Sequence, residues 1–321
     1  MDIPSILTTL VHNAVVYATP LIFAALGGVF SEKSGVTNIG LEGLMIVGGF
    51  SAAVTTIFCD DVLGFGSFSP WIGLAMGLLI GVLFSLQHAV VSITFKADQV
   101  ISGVALNLLA LGFSIYMMKK LFDGSSQTTT MHHPLNKLRI PYLSDIPYLG
   151  KAVFTAYPTS YIAILLTVLA AFILFKTPFG LRLRSVGEHP KAADTLGVNV
   201  NRMRYIAVLI SGALAGLGGA TISLSITNNF TQTTVSGQGF IAMAAMIFGR
   251  WNPIGALGAA LFFGLAQALA AISQVLGLTK YVPADLLTML PYIITIIAIT
   301  GLVGRSEAPS ALGKSYEKGQ R

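Results

Sequence analysis

The sequence predicts an all-α polytopic membrane protein of about nine (eight to ten) transmembrane helices, arranged as two inverted repeats. Three observations lead to that class. Charged residues make up 10% of the 321-residue chain and hydrophobic residues 54%, whereas ordinary soluble domains are roughly 25% charged. That balance excludes a soluble globular enzyme, a disordered chain and a nucleic-acid binder. Apolar segments of membrane-spanning length recur along the chain, and Lys and Arg are unevenly distributed among the connections between them. The net charge of +6 is therefore read as the basic excess that cytoplasmic loops carry. Cys59 is the only cysteine, so an intrachain disulfide and a cysteine-built metal site are both excluded.

A helix needs about 20 mostly apolar residues to cross a hydrocarbon core of roughly 30 Å. Segments of this character lie near 8–30, 38–58, 70–95, 99–118 and 158–176. Four more follow near 205–227, 237–249, 254–279 and 284–304. The first has neither a basic region before it nor a cleavage pattern after it, so it reads as a span and not as a signal peptide. The segment 237–249 is too short to cross straight and is expected as a half-helix or re-entrant piece. With the 177–204 loop and the C-terminal tail placed inside, the inner side holds most of the 19 Lys and Arg residues. The N-terminus is then outside and the C-terminus inside.

Residues 1–304 form a single transmembrane domain in this reading. The stretch 123–157 is an ordered extracellular loop, 177–204 a cytoplasmic loop, and 305–321 a polar, frayed cytoplasmic tail. The first four and last four spans are separated by an odd number of crossings and would be inverted relative to each other. Gly35–Phe50 and Gly237–Gly249 fall at corresponding places, both Gly-rich. Such a pattern points to a transporter whose pathway runs between the repeats, although chance similarity explains it too. Gly73, Gly77 and Gly81 recur every four residues, as do Gly212, Gly216 and Ala220, and Gly255 with Ala259. Small residues at this spacing mark close helix packing.

The segment 31–43, SEKSGVTNIGLEG, is the most unusual in the chain. It sets Glu32, Lys33, Asn38 and Glu42 between two apolar spans, with Gly35, Gly40 and Gly43 as structural glycines. Asn38 and Glu42 share one face if the stretch is helical. A carboxylate near the membrane is costly unless paired or facing water. Glu42 is thus either a brace that accepts backbone N–H bonds at a helix end or part of a pathway lining. Glu32 and Lys33 are expected in a cytoplasmic turn. His12, Asn13, Gln87, His88, Asn107, Gln267 and Gln274 more readily bond across helices than bind a ligand. Asp98 is expected at a solvated end, and 227–238 as a polar outer turn.

In the basic loop, Glu188–Val198 reads EHPKAADTLGV: Pro190 near a helix start, Ala192 and Ala193 within, Gly197 as the stop. This predicts a short helix whose Ala face a partner can grip. Leu312-Gly313-Lys314-Ser315 imitates the end of a phosphate-binding loop, but position 308 is Ala where the motif needs Gly. The chain therefore binds no ATP by itself. No catalytic or metal-binding motif stands out, so no enzyme activity and no metal site are expected.

Three stretches carry a family resemblance: Pro20–Phe50, with SGVTNIGLEG at its centre, Arg184–Gly219, and Gly239–Pro253 (GFIAMAAMIFGRWNP). They resemble the membrane permeases of bacterial ABC importers for nucleosides and simple sugars, most closely the smaller permease of nucleoside importers. The resemblance implies an ABC importer permease fold and a multi-pass protein of the bacterial plasma membrane. It implies four partners besides the lipid bilayer: an ABC ATPase subunit, a second permease in a heterodimer, an extracellular substrate-binding lipoprotein and a small-molecule substrate. No cofactor is implied in this chain, because ATP is bound and hydrolysed by the ATPase. Glu188, Ala192, Ala193 and Gly197 match the family's loose E-x-x-x-A-A-x-x-x-G pattern, which implies a role in ATPase coupling. Asn38, Glu42 and Asn107 are expected along the translocation pathway. The rival readings are a ribose- or galactose-type importer and a stand-alone secondary transporter.

Overall fold

Seven helices among the described residues are long and apolar enough to cross a membrane. In a computed structural model they are α1 (Ile3–Lys33), α2 (Leu41–Asp61), α3 (Ser69–Ala89), α4 (Gln99–Leu121), α5 (Pro158–Lys176), α8 (Val200–Thr221) and α10 (Pro253–Val275). A turn of π-helix, Val90–Thr94, lengthens α3, and another, Ile222–Thr227, lengthens α8. Between α5 and α8 lie α6 (Pro178–Glu188) and α7 (Pro190–Thr195), and before α10 lies α9 (Gln238–Phe248). The structure describes residues 3–275 except 145, 147, 149, 151 and 153, together with 286, 289, 293 and 308–317.

Every segment read from the sequence up to 254–279 coincides with one of these helices. The ninth, 284–304, lies outside the described residues apart from three positions, as does the end of the eighth beyond Val275. Local chemistry sets the helix starts. Proline occupies the first turn of α3, α5, α6 and α7, where its missing N–H costs nothing. Asp98, expected at a solvated end, is the N-cap of α4 and accepts from Val100 N and Ile101 N. Thr177 and Asn199 cap α6 and α8 in the same way.

The centre of the bundle is built from α1, α2, α3 and α8. The two glycine stripes of α3 and α8 turn out to be the two sides of one contact. A methyl group at Gly81 would overlap the carbonyl of Gly212, and one at Gly216 would overlap the carbonyl of Gly77. Where lipid supplies no hydrophobic force between helices, this close backbone approach is the source of van der Waals attraction. Gly255 behaves differently: it packs against Gly249 at the α9–α10 corner and not across a pair of spans.

At one end of the bundle lie the described residues of the 123–157 stretch. Its strands β1 (Leu138–Arg139) and β2 (Thr155–Ala156) pair antiparallel. Thr128 N donates to Phe230 O and Leu135 N to Leu224 O, while His133 Nδ1 lies 2.8 Å from the Asp60 carboxylate. The opposite end gathers the close of α1, Lys96, the α6–α7 pair and residues 308–317. The tail departs from expectation. Residues 308–317 are tied down, with Ala311 N donating to Gly187 O (2.9 Å), Gly313 N to Gly35 O (3.1 Å) and Arg204 Nη1 to Lys314 O (3.0 Å).

Candidate functional site

The chain leaves α1 through Gly35, whose φ of +89° is left-handed and suits glycine. It then runs irregularly to Gly40 before α2 begins. Asn38 therefore precedes the helix, and the expectation that it shares a helical face with Glu42 is corrected. The two side chains reach different helices. Asn38 Nδ2 donates to Ser211 Oγ of α8 at 2.9 Å, while its Oδ1 accepts from Gly40 N at 3.1 Å. Glu42 Oε1 accepts from Gly237 N and Oε2 from Gly239 N, both at 2.7 Å.

Those donors are the opening N–H groups of α9. They carry the positive end of its dipole and have no partner within their own helix. A methyl at Gly239 would overlap the backbone of Glu42, so the first turns of α2 and α9 touch. At the other end of α9, Glu32 Oε2 accepts from Trp251 Nε1 at 2.6 Å. The chain turns there through Arg250 and Trp251, both at positive φ. Glu32 is buried, not solvated in a turn. A helix of eleven residues is only about 16 Å long. It is thus a half-span held at both ends by carboxylates from the α1–α2 connection.

Asn107 on α4 completes the cluster. Its Oδ1 accepts from Gly43 N at 2.7 Å, and its Nδ2 donates to Ile39 O at 3.1 Å. The first of these satisfies one of the orphan N–H groups of the α2 start. Methyl groups at Gly40 and Gly43 would press into Leu106 and Asn107, so both glycines admit α4 to this segment. The three residues expected along the pathway are therefore brought together, and each has its polar atoms engaged by protein groups. His88 braces the same segment: its Nε2 lies 3.1 Å from Thr37 O and its Nδ1 2.9 Å from Ser102 Oγ. Gln99, whose Oε1 accepts from Thr37 N at 2.7 Å, escaped the sequence reading, as did Ser211 and Trp251. A tryptophan, one of two in the chain, next to a proline corner was the available signal.

The second cluster lies at the tail end of the bundle. The short helix α7 starts at Pro190, as expected, and stops at Gly197, which takes φ +82°. The expected single Ala face is corrected. Ala193 is 2% exposed and packs into the core, whereas Ala192 faces outward. The bulky apolar group on the surface is Leu196, 85% exposed. Glu188 closes α6 and not α7, and its Oε2 accepts from Ser310 N (3.2 Å) and Ser310 Oγ (2.9 Å). A methyl at Gly187 would overlap the carbonyl of Lys33, so the α6 end sits hard against the end of α1. Tyr316 lies beside Asp194; burial first, and then the Asp194 carboxylate, push its phenol above the usual value.

Residues 10–299 match the family described as branched-chain amino acid transport system / permease component. The chain is 54% identical to the guanosine ABC transporter permease protein NupQ of Bacillus subtilis, over 100% of both chains. It is 44% identical to the nucleoside ABC transporter permease protein NupC of Lactococcus lactis subsp. cremoris, over 99% of each.

Proposed function

The chain belongs to the branched-chain amino acid transport system permease-component family, and from that premise we propose that it carries nucleosides inward as one permease subunit of an ATP-driven importer. It is a multi-pass protein of the plasma membrane. The observation that carries the substrate is full-length identity of 54% and 44% to permeases named for guanosine and for nucleosides. A second permease, an ATPase and an extracellular lipoprotein complete the importer in this reading.

Two inverted repeats, with 284–304 as the last span, belong to the same proposal, and three features support them. Ala24-Ala25-Leu26-Gly27-Gly28 in α1 is echoed by Ala215-Gly216-Leu217-Gly218-Gly219 in α8. Helix α3 packs on α8 as α10 packs on α1, and α2 packs on α8 as α9 packs on α1. Exchanging the two halves turns each pair into the other. The starts of α2 and α9 meet at Glu42, as half-helices do where repeats join.

Asn38, Glu42 and Asn107 frame the pathway at that junction, setting its shape through the helix ends they hold. A nucleoside is neutral and offers donors, acceptors and a flat base, so amides and aromatic faces suit it better than free charges. Movement of the ATPase enters through α7, with Glu188 and Gly197 at its boundaries, Ala192 outward and Ala193 as the anchor. Because the neighbouring Gly187 abuts Lys33 and α8 follows directly, the push reaches both repeats. The test is uptake of labelled guanosine in cells whose own copy is deleted. Competition by inosine but not by ribose is expected; competition by ribose alone makes it a sugar importer. Uptake that persists without the ATPase replaces the importer by an ion-driven carrier.

A further inference from the structure

Between α7 and the C-terminal segment lies a cleft of about 510 Å³, lined on one side by His189, Lys191 and Ala192 and on the other by Ala311, Lys314 and Tyr316. The tail wall is held at several points. Its backbone is bonded to Gly187 and Gly35, Ser310 to Glu188, and Glu317 to Lys96 at 2.8 Å. Beneath it sits Arg204, only 1% exposed, whose Nη1 holds the Lys314 carbonyl while Nε and Nη2 have no partner among the described residues.

The charges of this cleft are unevenly used. The carboxylate of Glu317 is paired with Lys96. Glu188 is bonded by Ser310 and lies within electrostatic reach of Lys33. Asp194 is engaged by the Tyr316 phenol. Lys191 and Lys314 are exposed and have no carboxylate partner among the described residues. Acidic groups are thus consumed within the chain, and cationic ones are left over.

We propose that residues 309–317 form the second wall of the ATPase docking surface, and that this cleft receives an acidic segment of the ATPase against Lys191 and Lys314. The proposal rests on the reading of the chain as an ATPase-driven permease. Leu196, at the end of α7, supplies the apolar contact beside the charged ones. A concave cleft with one bulky apolar neighbour fits a protein better than a bilayer. A helix lying on lipid needs a broad apolar face, and α7 exposes Lys191, Ala192 and Thr195.

The test measures ATPase affinity for the full importer in nanodiscs of neutral phosphatidylcholine, at low and high salt. Lys314→Glu and Lys191→Glu are each expected to weaken binding about tenfold and to flatten its salt dependence, since reversal sets like charges together. Lys314→Arg should bind as the unaltered chain does, and all three should accumulate and purify normally. Should Lys314→Glu fail to accumulate, Lys314→Ala, which removes the charge without reversing it, decides in its place. Affinity within twofold of the unaltered chain overturns the proposal. So does a loss seen only in discs containing phosphatidylglycerol, which would assign the cations to lipid. An unaltered chain that retains no ATPase at any salt brings down the importer reading as well; one that retains it equally with Lys314→Glu brings down the tail alone.

Discussion

Two short helices do opposite things with similar residues. Helix α9 has eleven residues and α7 has six, both contain adjacent alanines, and neither is long enough to be stable alone in water. The first lies inside the bundle, where every polar group must find a protein partner. Its starting N–H groups are taken by Glu42 and its terminal corner by Glu32. The second lies at the water-facing end, held by Ala193 below it and by the tail beside it. It leaves Lys191, Ala192 and Leu196 exposed. The difference teaches where to look for contact with other molecules. In the buried region Glu32, Glu42 and Asn107 are spent on the frame, and at the end of the bundle Lys191 and Lys314 have no carboxylate partner among the described residues.

The sharpest way to break this contrast is Glu42→Leu. It strands Gly237 N and Gly239 N in a buried place and should cost about 3–5 kcal/mol, read as a large drop in melting temperature and in membrane accumulation. Trp251→Phe keeps an aromatic ring but removes the indole N–H from which Glu32 accepts, for about 1–3 kcal/mol; a melting temperature equal to the parent's would remove this bond from the frame. On the other helix, Gly197→Ala forces a Cβ into a left-handed conformation with open space around it. It should cost about 1 kcal/mol, with transport reduced more than stability. Leu196→Asp should change stability by less than about 0.5 kcal/mol while abolishing ATPase-driven uptake. If that variant transports normally, the exposed leucine has no part in docking.

Hydropathy was enough to locate the seven long helices and the shortness of α9, because transfer into lipid depends on the composition of a single segment; the polar α6 was not read from it. The glycine stripes were visible too, but not that Gly81 and Gly212 are partners, since spacing names a face and never its mate. Glu42 illustrates the limit well. Along the chain nothing shows which groups its carboxylate meets, because Gly237 and Gly239, whose N–H groups lie 2.7 Å from it, are almost two hundred positions away. The Ala face of α7 failed for a related reason. Six residues make less than two turns, so the orientation of Ala192 and Ala193 follows from how α6 and α8 seat the helix. The tail read as frayed because it is polar, and its anchors on Gly35, Gly187 and Arg204 lie far away in sequence.

What the sequence alone determined was the position of the long apolar helices and the residues that can start or stop a helix. Those are local quantities: the apolar content of about 20 residues, a proline's missing N–H, a glycine's freedom at positive φ. What only the tertiary structure decided was which polar groups are used up and which remain. A hydrogen bond is a property of two groups, and in this chain the decisive pairs, Glu42 with Gly239 and Glu32 with Trp251, join residues about two hundred positions apart. Burial makes each such pairing obligatory, so a carboxylate that is costly beside an apolar span is bonded within the fold.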